Sequence, residues 1–367
     1  MTDNPTSNNK KQALIGVHSG KVMTVLGQIP VEAMGVTLMH EHLLLDASSW
    51  WQRPCCASEI GLAERPIDVS MIGELRMNPF LNRDNCQLLD ADVSIEELLL
   101  FVERGGQTVV DPTNLGIGRD PRALQKISRR TGLNVVMSAG FYLEASHPDY
   151  LKTMSVEEVG KAIARDCGGV PDDMPIVTCG LIGEIGVSKD FTAAEEKVLR
   201  GAAQASRISG VPLMIHLPGW ERLAHRVLDV IEEEGGDLRH TVLCHMNPSY
   251  GDPSYQRSLA DRGAFLEYDM IGMDYFYADQ QAQSPSDEDN AAAIAGLIAD
   301  GYLNSVLMSH DVFLKMMLTR HGGFGYGYIL KHFVPRLKRH GVDDKAITGM
   351  LVDNPRRVFS AAYRDAA

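Results

Sequence analysis

Short β-branched runs alternate with helix-patterned stretches along most of the chain, and the number of runs is the informative quantity. Eight segments read as strands: 35–42, 107–111, 134–140, 176–184, 211–216, 240–245, 264–269 and 305–311. Helix signals fall between them. Ser94 with Glu97, Ser155 with Glu158 and Thr192 with Glu195 each match the S/T-x-x-E capping box ahead of an apolar-periodic stretch. After Thr192, the residues Val198, Leu199, Ala202, Ala203 and Ile208 share a helical face, Gly210 ends the helix and Pro212 leads into the next run. Repeated strand–helix alternation predicts an α/β fold of the closed TIM (β/α)8 type over about 35–360, with an open doubly wound sheet as the alternative.

Two segments interrupt the alternation. Residues 15–34 read as a hairpin or lid within an N-terminal extension, 1–34. Residues 45–92 form a long loop excursion after the first strand; with Trp50, Trp51, Pro54 and Pro79, it is expected to carry packed structure over the active face. Residues 281–290 read as a polar loop. No repeat divides the chain, so 1–367 is read as a single domain.

Composition narrows the class without naming an activity. The 367 residues are 44% hydrophobic and 23% charged, an ordinary globular balance. With 35 Lys and Arg against 48 Asp and Glu the net charge is −13, which repels a phosphate backbone, so no nucleic-acid partner is expected. The first dozen residues are polar and no apolar run approaches about 18 residues, giving an expectation of a cytoplasmic protein without a membrane partner. Six cysteines include adjacent Cys55 and Cys56 but no C-x-x-C, so free thiols are expected rather than a metal framework.

The chemistry gathers at strand ends. In His40-Glu41-His42 alternate side chains share a face, which pairs the two histidines and turns Glu41 away. Glu184, His216, His245 and Asp311 close four further strands, and in a barrel those C-terminal ends converge on one mouth. Four imidazoles and two carboxylates there are costly to desolvate unless cations compensate. They suit two divalent metal ions per chain, Zn²⁺ first, with Co²⁺, Mn²⁺ or Fe²⁺ as alternatives. Two such ions, two carboxylates and one hydroxide leave about +1, a charge suited to stabilising an oxyanion during hydrolysis. His18, His147, His225, His240, His310, His321, His332 and His340 fall in loops, on helices or off the inward face.

The run Gly35-Val36-Thr37-Leu38-Met39-His40-Glu41-His42 closely resembles the opening motif of the phosphotriesterase-related family in the amidohydrolase superfamily. The likeness continues through Gly116-Ile117-Gly118-Arg119-Asp120, Gly183-Glu184-Ile185-Gly186 and Val211-Pro212-Leu213-Met214-Ile215-His216, then past Asp311 to Gly322-Gly323-Phe324-Gly325-Tyr326 and Asn354-Pro355. It is strongest to the branch described as resiniferatoxin-binding, phosphotriesterase-related proteins. The resemblance implies a distorted TIM barrel with a binuclear site: His40, His42 and Asp311 on a more buried ion, His216 and His245 on the other, and Glu184 bridging. It also implies that Tyr142 is a wall of the substrate pocket.

Three departures bear on the substrate and the bridge. Glu184 stands where many relatives carry a carboxylated lysine and supplies a similar bidentate anion. Met270 follows Asp269 where phosphotriesterases have a histidine and many lactonases an arginine. Pro248 replaces an acid of the phosphotriesterase proton relay. The expectation is therefore a metal-bridging hydroxide attacking a small carboxyl ester, lactone or phosphotriester, with Asp311 taking the proton and Met270 and Tyr142 near the substrate. An N-acyl amide hydrolase and a non-catalytic small-molecule binder are the alternatives, and a homodimer is allowed. Arg119 reads as a structural salt bridge ahead of a substrate contact, and Met270, Met273, Tyr275, Phe276 and Tyr277 as core or pocket rim alike.

Overall fold

A computed structural model describes residues 20–54, 56–169 and 176–361. Eight parallel strands form one sheet: β1 (Val36–Leu38), β2 (Gly106–Asp111), β3 (Asn134–Ala139), β4 (Leu181–Gly186), β5 (Leu213–His216), β6 (Thr241–Leu243), β7 (Phe265–Tyr268) and β8 (Val306–Met308). Their spatial order is their sequence order, with β1 and β8 outermost. Beyond the ladder ends those two segments meet, where Asp311 N–H donates to His40 O at 3.0 Å and His42 N–H to Val312 O at 3.2 Å. The sheet is thus nearly closed into a barrel, and the open-sheet alternative is set aside.

Every expected strand is present, but most are shorter at the mouth. β1 ends before His40, β6 before His245 and β8 before Asp311. There the backbone leaves the ladder to aim side chains inward. Residues 176–180 of the fourth run lie outside β4 as well.

The capping boxes at Ser155 and Glu158 and at Thr192 and Glu195 form as read, and Gly210 ends the latter helix, Ala193–Ser209, with φ 70°. The box at Ser94 does not form. The helix Ala91–Val102 starts earlier, with the Asp90 carboxylate accepting from Asp92 N–H and Val93 N–H. An aspartate in cap position satisfies those orphan donors first, which releases Ser94 to bond Leu43 O and Glu97 to accept from Thr319 N–H and Arg320 N–H. Residues 281–290 are also more ordered than a polar loop, since Ser286 caps the helix Asp287–Ala299.

The N-terminal hairpin pairs Lys21–Thr24 with Gly27–Pro30. It is no lid: Val25 N–H bonds Val135 O at the start of β3, at the end of the barrel away from the strand C-termini. Val22, Val31 and Met34 join inward residues such as Val110, Met214 and Leu307, with Val358 and Phe359 of the helix Asn354–Ala361, in one apolar floor. Residues 15–19 lie outside the described chain. The excursion after β1 is tied at its base by the antiparallel pair Leu45–Asp46 and Gln87–Leu88 and holds short helices at Ala57–Ala63 and Ile72–Met77. Trp50 stacks on Phe80 within it at 5.2 Å. Among the described residues no helix is long and apolar enough to cross a membrane.

Candidate active site

Backbone conformation places the strand-end side chains. A Cβ at Gly183 would sit 2.3 Å from Met214 O, so only glycine lets β4 approach β5 closely just before Glu184. His245 and Asp311 have φ of 57° and 49°, a region non-glycine residues seldom adopt. Each is held there: His245 N–H donates to the Asp269 carboxylate at 3.0 Å, and Asp311 N–H to His40 O.

All six predicted residues come together. Glu184 Oε1 lies 3.4 Å from His42 Nε2 and 3.7 Å from His40 Nε2, while Oε2 lies 3.1 Å from His216 Nδ1 and 3.6 Å from His245 Nε2. Asp311 Oδ1 faces the first pair, 3.4 Å from His40 Nε2 and 3.3 Å from His42 Nε2. Two groups that could hold a cation therefore share one carboxylate: His40, His42 and Glu184, and Glu184, His216 and His245.

The donor set fits divalent cations. Both His40 nitrogens are buried without a hydrogen bond, although carboxylate oxygens come within 3.2–3.7 Å. Burial alone would lower the pKa of His42, but hydrogen bonds and charge from Asp311 and Glu184 raise it to about 9. Burial is likewise outweighed at His245, where Asp269 and then Glu184 raise the pKa to about 10. Burial would raise Glu184, yet His40 and His216 hold it well below the usual carboxylate range. Asp311 is raised by burial, with His40 and His42 opposing. The carboxylates thus draw positive charge into the cluster, a demand that divalent cations meet.

Partners behind the rings fix which nitrogen faces the cluster. Thr113 Oγ1 lies 2.8 Å from His42 Nδ1, and Asp269 Oδ1 3.0 Å from His245 Nδ1. Such outer contacts set tautomer and ring orientation. Neither was singled out in the sequence, though Asp269 shares the strand-end position that identified the others.

Above the cluster opens a cavity of about 460 Å³. Tyr142 and Met270 line it, Tyr142 with its hydroxyl 3.3 Å from His216 Nδ1. The excursion contributes Trp50 and Phe80, and Trp220, Tyr277 and Phe313 complete an aromatic wall. Of the apolar set after β7, Met270 and Tyr277 reach the cavity, whereas Met273 and Tyr275 are buried in the core and Phe276 is half-buried. Arg119 is a brace, bonding Asp166 at 2.8 Å and Ser138 O at 3.0 Å. Glu41 and His310 turn away from the mouth and bond each other at 2.6 Å. His147, His225 and His340 have partners elsewhere, and His18 lies outside the described residues. Cys86, Cys167, Cys179 and Cys244 are buried thiols outside disulfides.

Known proteins are similar to this chain over nearly its whole length. An N-acetyltaurine hydrolase of Tetraodon nigroviridis is 36% identical over 343 residues, 92% of this chain and 97% of that protein. The crystal structure of a resiniferatoxin-binding protein from Rhodobacter sphaeroides superposes with a TM-score of 0.91 at 56% identity, covering 95% of this chain and 97% of the other. The phosphotriesterase homology protein of Escherichia coli, with phosphate in its active site, gives 0.72 at 28% identity over 89% and 99%. The model of the phosphotriesterase family matches residues 20–359, the span from the hairpin beneath the barrel to its closing helix, and the chain belongs to that family.

Proposed function

We propose that the chain is a binuclear metal-dependent hydrolase that cleaves the amide bond of a small N-acyl amino acid or amino sulfonate. The observation that carries the hydrolase reading is the division of Glu184 between two histidine pairs, one oxygen to each, on the floor of an apolar cavity. His40, His42 and Asp311 would hold one cation, His216 and His245 the other, and Glu184 would bridge; Zn²⁺ suits these donors. Bound there, two divalent cations would supply Lewis acidity and ease the loss of a proton from water near neutral pH.

The chain's own residues do the rest. Asp311, raised by burial, accepts the proton of the attacking water on its carboxylate and delivers it to the departing group. Asp269 and Thr113 hold the imidazoles in register. Trp50, Phe80, Tyr142 and Tyr277 seat the acyl part and exclude bulk water.

The amide assignment is supported by relatives named N-acetyltaurine hydrolase that align over 92% of the chain. It moves ahead of the ester chemistry expected from sequence, which remains the second reading because a 28% identical relative holds phosphate in its active site. A screen of the zinc-loaded protein decides between them, using N-acetyl amino sulfonates, N-acetyl amino acids, aryl esters, lactones and phosphotriesters. The highest kcat/KM is expected for an N-acyl amide. Turnover confined to esters, lactones or phosphotriesters would move the assignment to the second reading, and no turnover of any class would remove the hydrolase reading.

A further inference from the structure

Along β7 and its extension, Phe265, Glu267 and Asp269 alternate toward the barrel interior. Phe265 belongs to the apolar floor and Asp269 braces His245. Glu267, between them, is fully buried and serves neither purpose. Its Oε2 lies 3.5 Å from His40 Nδ1 and accepts from the Cys244 thiol at 3.5 Å, while Oε1 is buried without a hydrogen bond. His40, Cys244, Glu267 and Asp269 form a third tight group, behind His40 rather than in the mouth.

A carboxyl group in a barrel interior is costly unless something uses it. His40 Nε2 points at Glu184 and Asp311, so with a cation on that side its remaining proton must sit on Nδ1 and needs an acceptor. Asp269 Oδ2 is nearer to Nδ1, at 3.2 Å, but both Asp269 oxygens already accept from His245 N–H, and Oδ1 also faces His245 Nδ1. Glu267 has acceptor capacity to spare beside the same nitrogen.

We propose that Glu267 is the positioning residue of the His40 half of the centre: it accepts the Nδ1 proton of His40, locks the ring and strengthens Nε2 as a donor, while the His216 half relies on Asp269. The proposal rests on the two-cation reading above and adds an asymmetry to it. It needs no change of charge on Glu267 and concerns ligand strength alone.

The test is metal affinity rather than turnover. The full chain, stripped by a chelator, is titrated with Co²⁺ against a chelating dye, and the visible spectrum of each equivalent is recorded. Glu267→Gln keeps the shape but weakens the acceptor. One of two equivalents is expected to bind roughly 10–100-fold more weakly with an altered spectrum, the loss typical of removing an outer partner, while the other stays within about 3-fold by the same principle. A merely structural role would leave both affinities unchanged or lower them together, and either result overturns the proposal. Should Glu267→Gln fail to fold, Glu267→Asp, which withdraws the carboxylate from His40, carries the test on the same criteria. A wild-type chain that takes up fewer than two equivalents would instead overturn the two-cation reading.

Discussion

Where β1 meets β8, residues 40–42 and 309–311 run side by side, and the same two kinds of side chain are handled in opposite ways on their two faces. Toward the mouth stand His40, His42 and Asp311, where imidazoles and carboxylate lie close but His40 has no hydrogen bond at either nitrogen. Away from it stand Glu41, Ser309 and His310, and there each polar group is spent. Glu41 Oε1 accepts from Ser309 Oγ and His310 N–H at 2.8 and 2.9 Å and meets His310 Nδ1 at 2.6 Å, while Oε2 accepts from Val312 N–H at 3.0 Å. His310 Nε2 in turn accepts from Ile329 N–H at 3.0 Å, at the residue where the π-helical turn Ile329–Phe333 begins. Residue type therefore does not separate a site from a brace. At this seam bonding capacity does: the mouth side leaves both ring nitrogens of His40 without a hydrogen bond, while the other side uses its polar groups to seal the barrel.

The largest effect expected to sharpen this contrast is on the mouth side. Asp311→Asn should lower turnover of the best substrate by roughly 10²–10⁴-fold, the range for loss of a general base, while metal analysis still finds both ions. Loss confined to a few-fold would break the assignment of Asp311.

His310→Ala tests the other face and should show the reverse profile. It strands the buried Glu41 carboxylate, at a cost of about 3 kcal/mol in denaturant unfolding, while kcat of the folded fraction stays within a few-fold of wild type. A collapse in kcat without loss of stability would mean that the strand register is misread.

The smallest effect concerns pH. His42 and His245 have pKa values raised from 6.5 to about 9 and about 10 in the cation-free chain. Their contribution to stability is full below the unfolded value and is lost as pH rises through the folded ones. Chelator-stripped protein should therefore show a falling Tm between pH 7 and 10, and zinc-loaded protein a flatter profile. Parallel curves would show that the mouth-side imidazoles are not what cations relieve.

Much of the site was legible because its chemistry sits at strand ends, where alternation and barrel geometry together say which side chains converge. That logic brings His40, His42, Glu184, His216, His245 and Asp311 to one mouth, where the structure also gathers them, and turns Glu41 and His310 away from it. It overran the strands for the same reason: the ligand positions extend the β pattern, but left-handed φ at His245 and Asp311 takes them off the ladder. Thr113, Asp269 and Glu267 escaped notice because an outer partner is defined by the ring it touches, and no spacing encodes that. The Ser94 box failed because Asp90 competes for the same helix end, a contest that a motif read in isolation does not show.

The floor of the barrel carries a consequence for how the chain is made. Val22 and Phe359 belong to one apolar cluster although more than 300 positions separate them. At a synthesis rate of about 5–20 residues per second, the hairpin emerges roughly 20–70 s before the helix that covers it. Through that interval Val22, Val31 and Met34 have no final helix to pack against, and the barrel cannot be sealed from below until Val358 and Phe359 arrive. A chain cut short before position 358 would keep every residue of the mouth and still lack the piece that closes its base.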